Sequence, residues 1–342
     1  MRKKIILSAI LLLLIVGGIV GYNYYQKIFG SNVNKSGYLY IKSTDEMGNL
    51  LSSLNSFVED KDDFLWVANQ KKFTNIKAGK YKISKGMSNN DLVNLLRSGN
   101  QVPVKISFNN QDTLEKLAGR IATQIEADST SLIAAFQDSV FLKEKKITKA
   151  QMLGNFIPNT YELFWNTSGE QFRDRMFKEF KRFWNDNRLK KAKALNMTPE
   201  EVITLASIVY KETPKAVEQP RVAGLYMNRI QKGMPLQADP TIIYILKQLH
   251  GQDFVVKRVL FKDLKIKSPY NTYLHRGVPP SLIAMPDISS IDAVLNYERH
   301  DYLYMCVNIE KFGYHAFASS MKQHTRNARK YQRWLNEQGI KR

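Results

Sequence analysis

The chain has 342 residues, of which 44% are hydrophobic and 11% aromatic, and it carries a formal net charge of +20. This composition indicates a folded protein with one large or two smaller domains, and the charge favours polyanionic surroundings: nucleic acid, an anionic membrane or an acidic wall polymer. The single cysteine, Cys306, excludes an intrachain disulfide and a cysteine-based metal site, and we interpret it as a small core residue.

The first 22 residues predict a membrane anchor. The basic residues of "MRKK" (1–4) precede 18 uncharged residues, "IILSAILLLLIVGGIVGY" (5–22), which as a helix span roughly 27 Å, about the thickness of a bilayer's hydrocarbon core. A cleaved signal peptide, the alternative, has a shorter apolar core and a small-residue exit, whereas tyrosines follow here. We expect residues 1–4 to remain cytoplasmic and the rest to lie outside, which argues against a nucleic-acid partner.

Beyond the anchor we predict an α+β protein in two folded parts. Residues 23–36 are polar and are interpreted as a juxtamembrane linker. Residues 37–100 contain two short strand patterns and helix patterns, the last one capped by Ser88 or Asn89, and form a small α/β module. Residues 101–342 form a larger domain that mixes helices with short strands.

A long amphipathic helix is predicted near the middle of the chain, in "QFRDRMFKEFKRFWNDNRLKKAKAL" (171–195). Phe172, Met176, Phe180 and Phe183 face inward in this pattern. We interpret its lysines and arginines as a solvated face rather than a specific anion site.

The stretch "MTPEEVITLASIVYKETP" predicts a helix with well-marked ends. Thr198 is the expected N-cap, and Glu201 completes a capping box. Pro214 disfavours helical geometry in the residue before it, so the helix ends close to Glu212.

Glu212 occupies an unusual position on this helix. Counting from Leu205 by three, four and seven residues gives Ile208, Val209 and Glu212, so the acid lies on the apolar face. Burial and the negative end of the helix dipole both disfavour its ionised form and raise its pKa, as a general acid near neutral pH requires. The alternative is a helix-terminal glutamate paired with a nearby lysine or arginine.

Three later segments offer polar side chains for a cleft. Gln237 and Asp239 lie in the turn "PLQADPT", although Asp239 can equally cap the next helix. In the loop "SPYNTYLHRGVPPSLIAMP", tyrosines can stack on sugar rings and Asn271 can bind an N-acetyl group, but such residues are also common in turns. His315 lies in a predicted strand. The five histidines lack metal-ligand spacing, so neither a metal nor a cofactor is expected.

Taken in order, these segments resemble the YceG-like (MltG) family of membrane-anchored endolytic murein transglycosylases. The matching blocks are "LASIVYKET", "GLYMNRIQKGMPLQADPTIIY", "YNTYLHRGVPPSLIAMP" and "YHAFASSMKQH". The module at 37–100 is similar to the family's LysM-like subdomain. Many members have glutamate where this chain has Tyr210 and aspartate where it has Asn159, so neither position supplies an acid here.

The resemblance implies that the chain cuts nascent peptidoglycan strands and leaves 1,6-anhydro-N-acetylmuramic acid ends. The family's essential glutamate matches Glu212. One carboxyl group can suffice, because the C6 hydroxyl of the substrate serves as nucleophile where a hydrolase needs a second carboxylate. Implied partners are glycan strands, the bilayer and peptidoglycan synthases, with the catalytic part outside the plasma membrane. The implied substrate-binding residues are Gln237, Asp239, Asn271, Thr272, Tyr273, Tyr161 and His315.

Two other functions compete with this one. A hydrolytic muramidase acting on the same polymer would use Asp239 as its second carboxylate and leave reducing ends. A non-catalytic scaffold that binds the cell wall would depend on the 37–100 module and not on Glu212.

Overall fold

The computed structural model describes residues 2–337 and divides into two units. Met1 and residues 338–342, the outermost parts of the predicted cytoplasmic segment and catalytic domain, lie outside the described residues. Unit 1 consists of the described residues up to Ile106 together with Ala122–Ala127 and Tyr161–Ser168. Unit 2 contains Ser107–Ile121, Asp128–Thr160 and the described residues from Gly169 onward. The sequence predicts a single cut after residue 100, whereas the two units interleave along the chain.

Unit 1 begins with a long apolar helix and continues as a small α/β fold. Its elements are α1 (Arg2–Phe29), β1 (Gly37–Ile41), α2 (Met47–Leu54), α3 (Lys61–Gln70), β2 (Gly79–Ile83) and α4 (Asn89–Ser98). Within residues 2–337, α1 alone is long and apolar enough to cross a membrane by length and composition. It continues through Phe29, so the first half of the predicted 23–36 linker is helical.

The core of unit 1 lies between a pair of antiparallel strands and three short helices. β1 and β2 pair antiparallel with Leu39 opposite Tyr81, and both side chains are buried. Ser88 caps α4 by accepting a hydrogen bond from the Asp91 N–H, which settles the predicted choice between Ser88 and Asn89. Gly99 ends the helix at φ +73°, in the left-handed region that favours glycine.

Unit 2 contains most of the remaining elements. The strands β3 (Val104–Phe108) and β4 (Asn159–Leu163) pair with each other. The helices are α5 (Leu114–Ala122), α6 (Ser129–Phe136), α7 (Ser139–Lys145), α8 (Lys149–Met152), α9 (Gly169–Phe183), α10 (Asp186–Ala194), α11 (Pro199–Glu212), α12 (Gln219–Gln231), α13 (Asp239–His250), α14 (Ile288–Leu295) and α15 (Met321–Glu337). A second antiparallel pair joins β5 (Tyr304–Val307) to β6 (His315–Ala318).

The prediction of one long helix over 171–195 is wrong, because two helices occupy this stretch. α9 ends at Phe183 and α10 begins at Asp186. The Asn185 side chain accepts a hydrogen bond from the Arg188 N–H at 3.1 Å and so caps a new helix. Asparagine favours such caps over helix interiors, since its amide competes for backbone partners.

The helix α11 lies at the centre of unit 2. The predicted capping box is present: the Thr198 hydroxyl accepts from the Glu201 N–H, and the Glu201 carboxylate accepts from the Thr198 N–H. Every residue from Val202 to Val209 is buried, because α10, α12, α13 and α14 all pack against α11. The sequence predicts one buried stripe, whereas this part of the helix is enclosed on all sides.

Candidate active site

Glu212 is the last residue of α11 and opens onto a cavity of about 320 Å³. Thr213 is extended (φ −143°, ψ 129°), as expected before a proline, so the helix ends at the acid. Four elements besides α11 supply the walls: α12, the turn that leads into α13, the loop that carries Tyr273, and the β5–β6 pair. The lining residues are Glu212, Leu225, Tyr226, Arg229, Leu236, Gln237, Asp239, Tyr273, Met305, Cys306, Val307 and His315.

The carboxyl group of Glu212 is held by a neutral partner. The Tyr226 hydroxyl on α12 donates a hydrogen bond to Glu212 Oε1 at 2.5 Å. Burial raises the pKa of Glu212 to about 7, although the Tyr226 hydrogen bond and the His315 charge oppose this shift. The direction agrees with the expectation from the apolar stripe, and Glu212 therefore carries a proton close to neutral pH.

Glu212 is not the acid of an ion pair with lysine or arginine anywhere in residues 2–337, so the alternative raised by the sequence is not supported. The adjacent Lys211 points elsewhere, and its Nζ lies 2.7 Å from Asp112 Oδ1. Lys211 and Glu212 therefore leave the helix on different faces.

A second acid, Glu218, is linked to the same cavity indirectly, because it bonds to His315, which lines the cavity. The Glu218 side chain is 4% exposed; its Oε1 accepts from the His315 backbone N–H at 2.7 Å, and its Oε2 lies 2.9 Å from His315 Nδ1. Burial alone would raise the pKa of Glu218, but the hydrogen bonds and charge of His315 outweigh it and lower that pKa. Burial likewise opposes the charge on His315, yet Glu218 raises the pKa of the imidazole. Glu218 therefore favours the charged form of His315, which lines the cavity.

Arg229 brings a further positive charge into the wall. The side chain is buried, and its guanidinium donates to the backbone oxygens of Leu303 (2.7 Å) and Leu236 (2.8 Å) and to Gln237 Oε1 (3.1 Å). All its hydrogen-bond acceptors among residues 2–337 are uncharged carbonyl oxygens. Burial lowers the pKa of Arg229, and nearby tyrosines and Glu212 oppose this. A buried cation without a carboxylate bonded to it favours negative charge in the cavity.

Asp239, Tyr273 and Gln237 line the cavity, as the sequence predicts for a cleft. The Tyr273 hydroxyl donates to Asp239 Oδ1 at 2.6 Å. Asp239 is the first residue of α13, and its N-cap, Ala238, makes no side-chain capping bond, so the alternative of a capping role for Asp239 is wrong. Gln237 adopts φ +51°, a left-handed conformation uncommon for a residue with a side chain. Its N–H donates to Thr272 O at 2.9 Å, which holds the turn in place.

Asn271 and Thr272 require a correction, because neither faces the cavity. Asn271 is fully buried, and its amide nitrogen donates to Leu264 O and Ile266 O at 3.0 and 2.8 Å. The Thr272 hydroxyl is buried too and accepts from the Ala238 N–H at 3.0 Å. Both side chains shape the loop that carries Tyr273, so the predicted direct contact with sugar does not fit them.

Two further predictions change with the structure. Tyr161 is buried on β4, belongs to unit 1 and does not line the cavity of Glu212. Cys306 is half-buried on β5 and lines that cavity, whereas the sequence interpretation made it a core residue. Its thiol has a pKa raised by burial, which makes it a poor nucleophile.

Tyr226, Arg229 and Glu218 are the functional candidates that the sequence reasoning missed. The pattern that revealed Glu212 could have found one of them: Arg229 lies seven residues after Val222, on the apolar face of α12. Tyr226 is 14 positions from Glu212, and only the packing of α12 against α11 brings the two together.

The cavity thus combines Glu212, whose pKa is raised to about 7, with two basic side chains, Arg229 and His315, and a second acidic side chain, Asp239. This arrangement can donate a proton and then stabilise the carboxylate that remains, because Arg229 and His315 both favour ionised Glu212. No group of three or more His, Cys, Asp or Glu side chains in the described part of the chain could hold a metal ion.

Comparison with known proteins gives consistent matches. The model of the YceG-like family matches residues 39–330. Proteins named endolytic murein transglycosylase from two Streptococcus pneumoniae strains are 27% identical over 354 residues, which cover 93% of this chain but 63% of theirs. The chain thus spans less than two thirds of those proteins. A Bacillus subtilis protein of the same name is 28% identical over 301 residues, 83% of this chain and 81% of its own length.

A solved structure also resembles the chain. The crystal structure of a YceG-like protein from Listeria monocytogenes matches with a TM-score of 0.56 and 26% sequence identity. The match covers 85% of this chain and 98% of the Listeria chain. The mixture of helices and short strands described above is therefore shared with a protein of that type.

Proposed function

Because the chain belongs to the YceG-like family, we propose that it is an endolytic lytic transglycosylase of peptidoglycan. It cleaves glycan strands between N-acetylmuramic acid and N-acetylglucosamine and leaves 1,6-anhydro-N-acetylmuramic acid ends. The names of the pneumococcal and Bacillus relatives support this reaction. The observation that carries it in this chain is Glu212, a carboxyl group whose pKa is raised to about 7 and which opens onto a cavity.

In the proposed reaction Glu212 acts first as an acid and then as a base. Its proton passes to the glycosidic oxygen, and the bond from that oxygen to C1 of the muramic residue breaks. The C6 hydroxyl of the same residue then attacks C1 and gives its proton to the Glu212 carboxylate, which restores the acid. No water is consumed, so one carboxyl group completes the cycle where a hydrolase uses two.

The surrounding residues have supporting roles in this proposal. Arg229 and His315 stabilise the carboxylate form of Glu212 between the two proton transfers. Tyr226 fixes the orientation of the carboxyl group through its hydrogen bond. Gln237, Asp239 and Tyr273 line the cavity and would hold the sugar by its hydroxyl and acetamido groups.

We also propose the location of the enzyme and its setting. The apolar helix α1 anchors the chain in the plasma membrane with its basic N-terminus in the cytoplasm, and the residues that follow α1 lie outside. The α/β part of unit 1 serves as a LysM-like module. Partners are nascent glycan strands and the peptidoglycan synthases that make them.

A hydrolytic muramidase is the second candidate, and one observation favours it: Asp239 is an exposed carboxylate in the same cavity as Glu212. Asp239 would then activate a water molecule while Glu212 protonates the leaving oxygen.

The two reactions are separated by the mass of their products. The full-length chain in detergent is incubated with purified uncrosslinked glycan strands, and the new ends are analysed by mass spectrometry. A transglycosylase gives anhydro ends, each lighter by one water than the reducing end that a hydrolase gives. Reducing ends as the main product, with ¹⁸O incorporated from labelled water, would reject the transglycosylase in favour of the hydrolase.

A further inference from the structure

A second cavity adjoins the one that holds Glu212. It has a volume of about 390 Å³ and is lined by Asp239, Arg258, Val259, Leu260, Phe261, Leu264 and Tyr273. Asp239 and Tyr273 line both cavities, and the 2.6 Å hydrogen bond between them forms part of the common wall. A substrate at Glu212 therefore has the second cavity within reach of its neighbouring substituents.

Away from Asp239 and Tyr273, which it shares with the first cavity, the wall of this second cavity is mainly apolar. Val259, Leu260, Phe261 and Leu264 form an apolar surface, whereas a sugar ring requires polar partners for most of its hydroxyls. Phe261 is 81% exposed. An aromatic side chain so exposed beside a cavity is typical of a surface that contacts a ligand.

The cavity is lined by one basic side chain, Arg258, and one acidic side chain, Asp239, which already accepts a hydrogen bond from the Tyr273 hydroxyl. No hydrogen bond or ion pair of Arg258 to another described residue is seen, so its guanidinium is available to an anion. The surrounding loop adds positive charge, since residues 251–267 contain five Lys or Arg and two Asp. One of these acids, Asp263, is buried and accepts from the Leu260 N–H at 2.8 Å, so it fixes the loop from inside. The cavity therefore suits a ligand with small apolar groups and a carboxylate.

We infer that this second cavity binds the peptide that muramic acid carries on its lactyl group, with a peptide carboxylate at Arg258 and the alanine methyl groups against Leu260 and Phe261. The inference rests on the proposed function and specifies which strands the enzyme prefers: those that still carry their peptides. The same apolar and basic surface would also suit an anionic lipid bilayer. We favour the peptide because these side chains line a cavity that shares a wall with the Glu212 site.

The test compares rates on two forms of one substrate. Full-length chain in detergent receives glycan strands with intact peptides or the same strands after an amidase has removed them. We expect wild-type cleavage to be about tenfold faster with peptides, and Arg258→Gln to reduce this ratio about fivefold. When the peptide carboxylates of the strands have been amidated, the ratio of wild-type rates with and without peptides should also fall about fivefold. Lys257→Gln, which removes a neighbouring charge outside the cavity, is the matched control and keeps the wild-type ratio.

Two results in detergent would overturn the inference: equal wild-type rates on strands with and without peptides, or equal losses of rate on both substrates in Arg258→Gln. The reaction is also run with the enzyme in anionic and in zwitterionic vesicles. An effect of Arg258→Gln that is seen only in the anionic vesicles would overturn the inference as well. The last of these would assign the surface to the membrane. Binding of the two strand types to Glu212→Gln, measured by calorimetry, separates the inference from the reaction itself. A preference for peptide-bearing strands there, without anhydro products from wild type, would keep the cavity assignment and reject the transglycosylase.

Discussion

Two carboxylates six residues apart in the chain, Glu212 and Glu218, have opposite properties. Glu212 hydrogen-bonds to the neutral hydroxyl of Tyr226, and burial raises its pKa to about 7. Glu218 is more thoroughly enclosed, but its partner is a histidine whose charge lowers its pKa despite the burial. Burial disfavours the ionised form of both carboxyl groups; the charged partner of Glu218 outweighs this effect, whereas the Tyr226 hydrogen bond to Glu212 does not. One acid is fit to donate a proton, and the other to hold a cation in place.

Replacing the proton donor should have the largest effect. In Glu212→Gln the amide keeps its contact with Tyr226 but has no acidic proton, so cleavage of glycan strands should fall by about 1000-fold or more. The rate of appearance of anhydro ends measures this. Glu201→Gln on the same helix is the control, because glutamine also completes a capping box. A Glu212→Gln variant with more than a tenth of wild-type activity would show that Glu212 is not the acid.

Breaking the pair between Glu218 and His315 should mainly affect the stability of the fold. Glu218→Gln removes the ion pair with His315 and should lower the free energy of unfolding by about 3 kcal/mol. The pKa of Glu218 is lowered and that of His315 raised, so the pair stabilises fully between their ordinary values of 4.5 and 6.5. This contribution fades as pH falls through the pKa of Glu218 or rises through that of His315.

Urea titrations of both proteins across this pH range measure the effect of Glu218→Gln. Glu298→Gln, which breaks the exposed pair with Arg221, is the control and should change stability by less than about 1 kcal/mol. A difference between wild type and Glu218→Gln that does not vary with pH would exclude an ionic pair.

The comparison predicts the opposite pH response at Glu212. The unfolded carboxyl group ionises near 4.5 and the folded one near 7, so the folded state loses stability as pH rises between these values. Because Glu212→Gln cannot ionise, it should be more stable than wild type by about 2 to 3 kcal/mol at pH 8 and no more stable at pH 4. Thermal unfolding at the two pH values tests this. Parallel curves for both proteins would contradict the raised pKa.

The smallest effect is expected from replacing Tyr226, the neutral hydrogen-bond partner of Glu212. The Tyr226 hydrogen bond favours the carboxylate form, so Tyr226→Phe should raise the pKa of Glu212 further and move the alkaline limb of the activity profile to higher pH. Activity at pH 6 should fall about threefold, because the carboxyl group loses its orientation. Tyr297→Phe, the same change outside the cavity, should alter neither quantity. If the alkaline limb of the activity profile moved to lower pH in Tyr226→Phe, Tyr226 would be favouring the protonated form of Glu212 and not the carboxylate.

The residues of the site differ in how far the sequence could predict them. The ends of α11 follow from neighbours in the chain, Thr198, Glu201 and Pro214, and the periodicity of its apolar residues places Glu212 on a buried face. Such local interactions are visible without a structure. The break at Asn185 is local too, but an uninterrupted apolar pattern concealed it.

The partners of Glu212 could not be predicted in the same way. Tyr226 and His315 reach the cavity only because α12 and the β5–β6 pair pack there, and no spacing in the sequence encodes that packing. Asn271 illustrates the reverse error: its residue type suits a sugar ligand, yet its amide is fully used by backbone oxygens. Residue type indicates what a side chain can do, but only packing decides what it faces.

The helix α1 continues without interruption as far as the α/β part of unit 1, and side-chain contacts hold it there. Lys27 pairs with Asp63 at 2.6 Å, Asn89 donates to the Lys27 carbonyl oxygen at 2.9 Å, and the rings of Tyr24 and Trp66 lie 5.4 Å apart. With residues 5–22 in a bilayer, the seven residues from Asn23 to Phe29 form a rigid helical connection that extends about 10 Å beyond it. A continuous helix transmits rotation, whereas a flexible linker does not. When the membrane-embedded part of α1 tilts or rotates, the α/β part of unit 1 must therefore move with it.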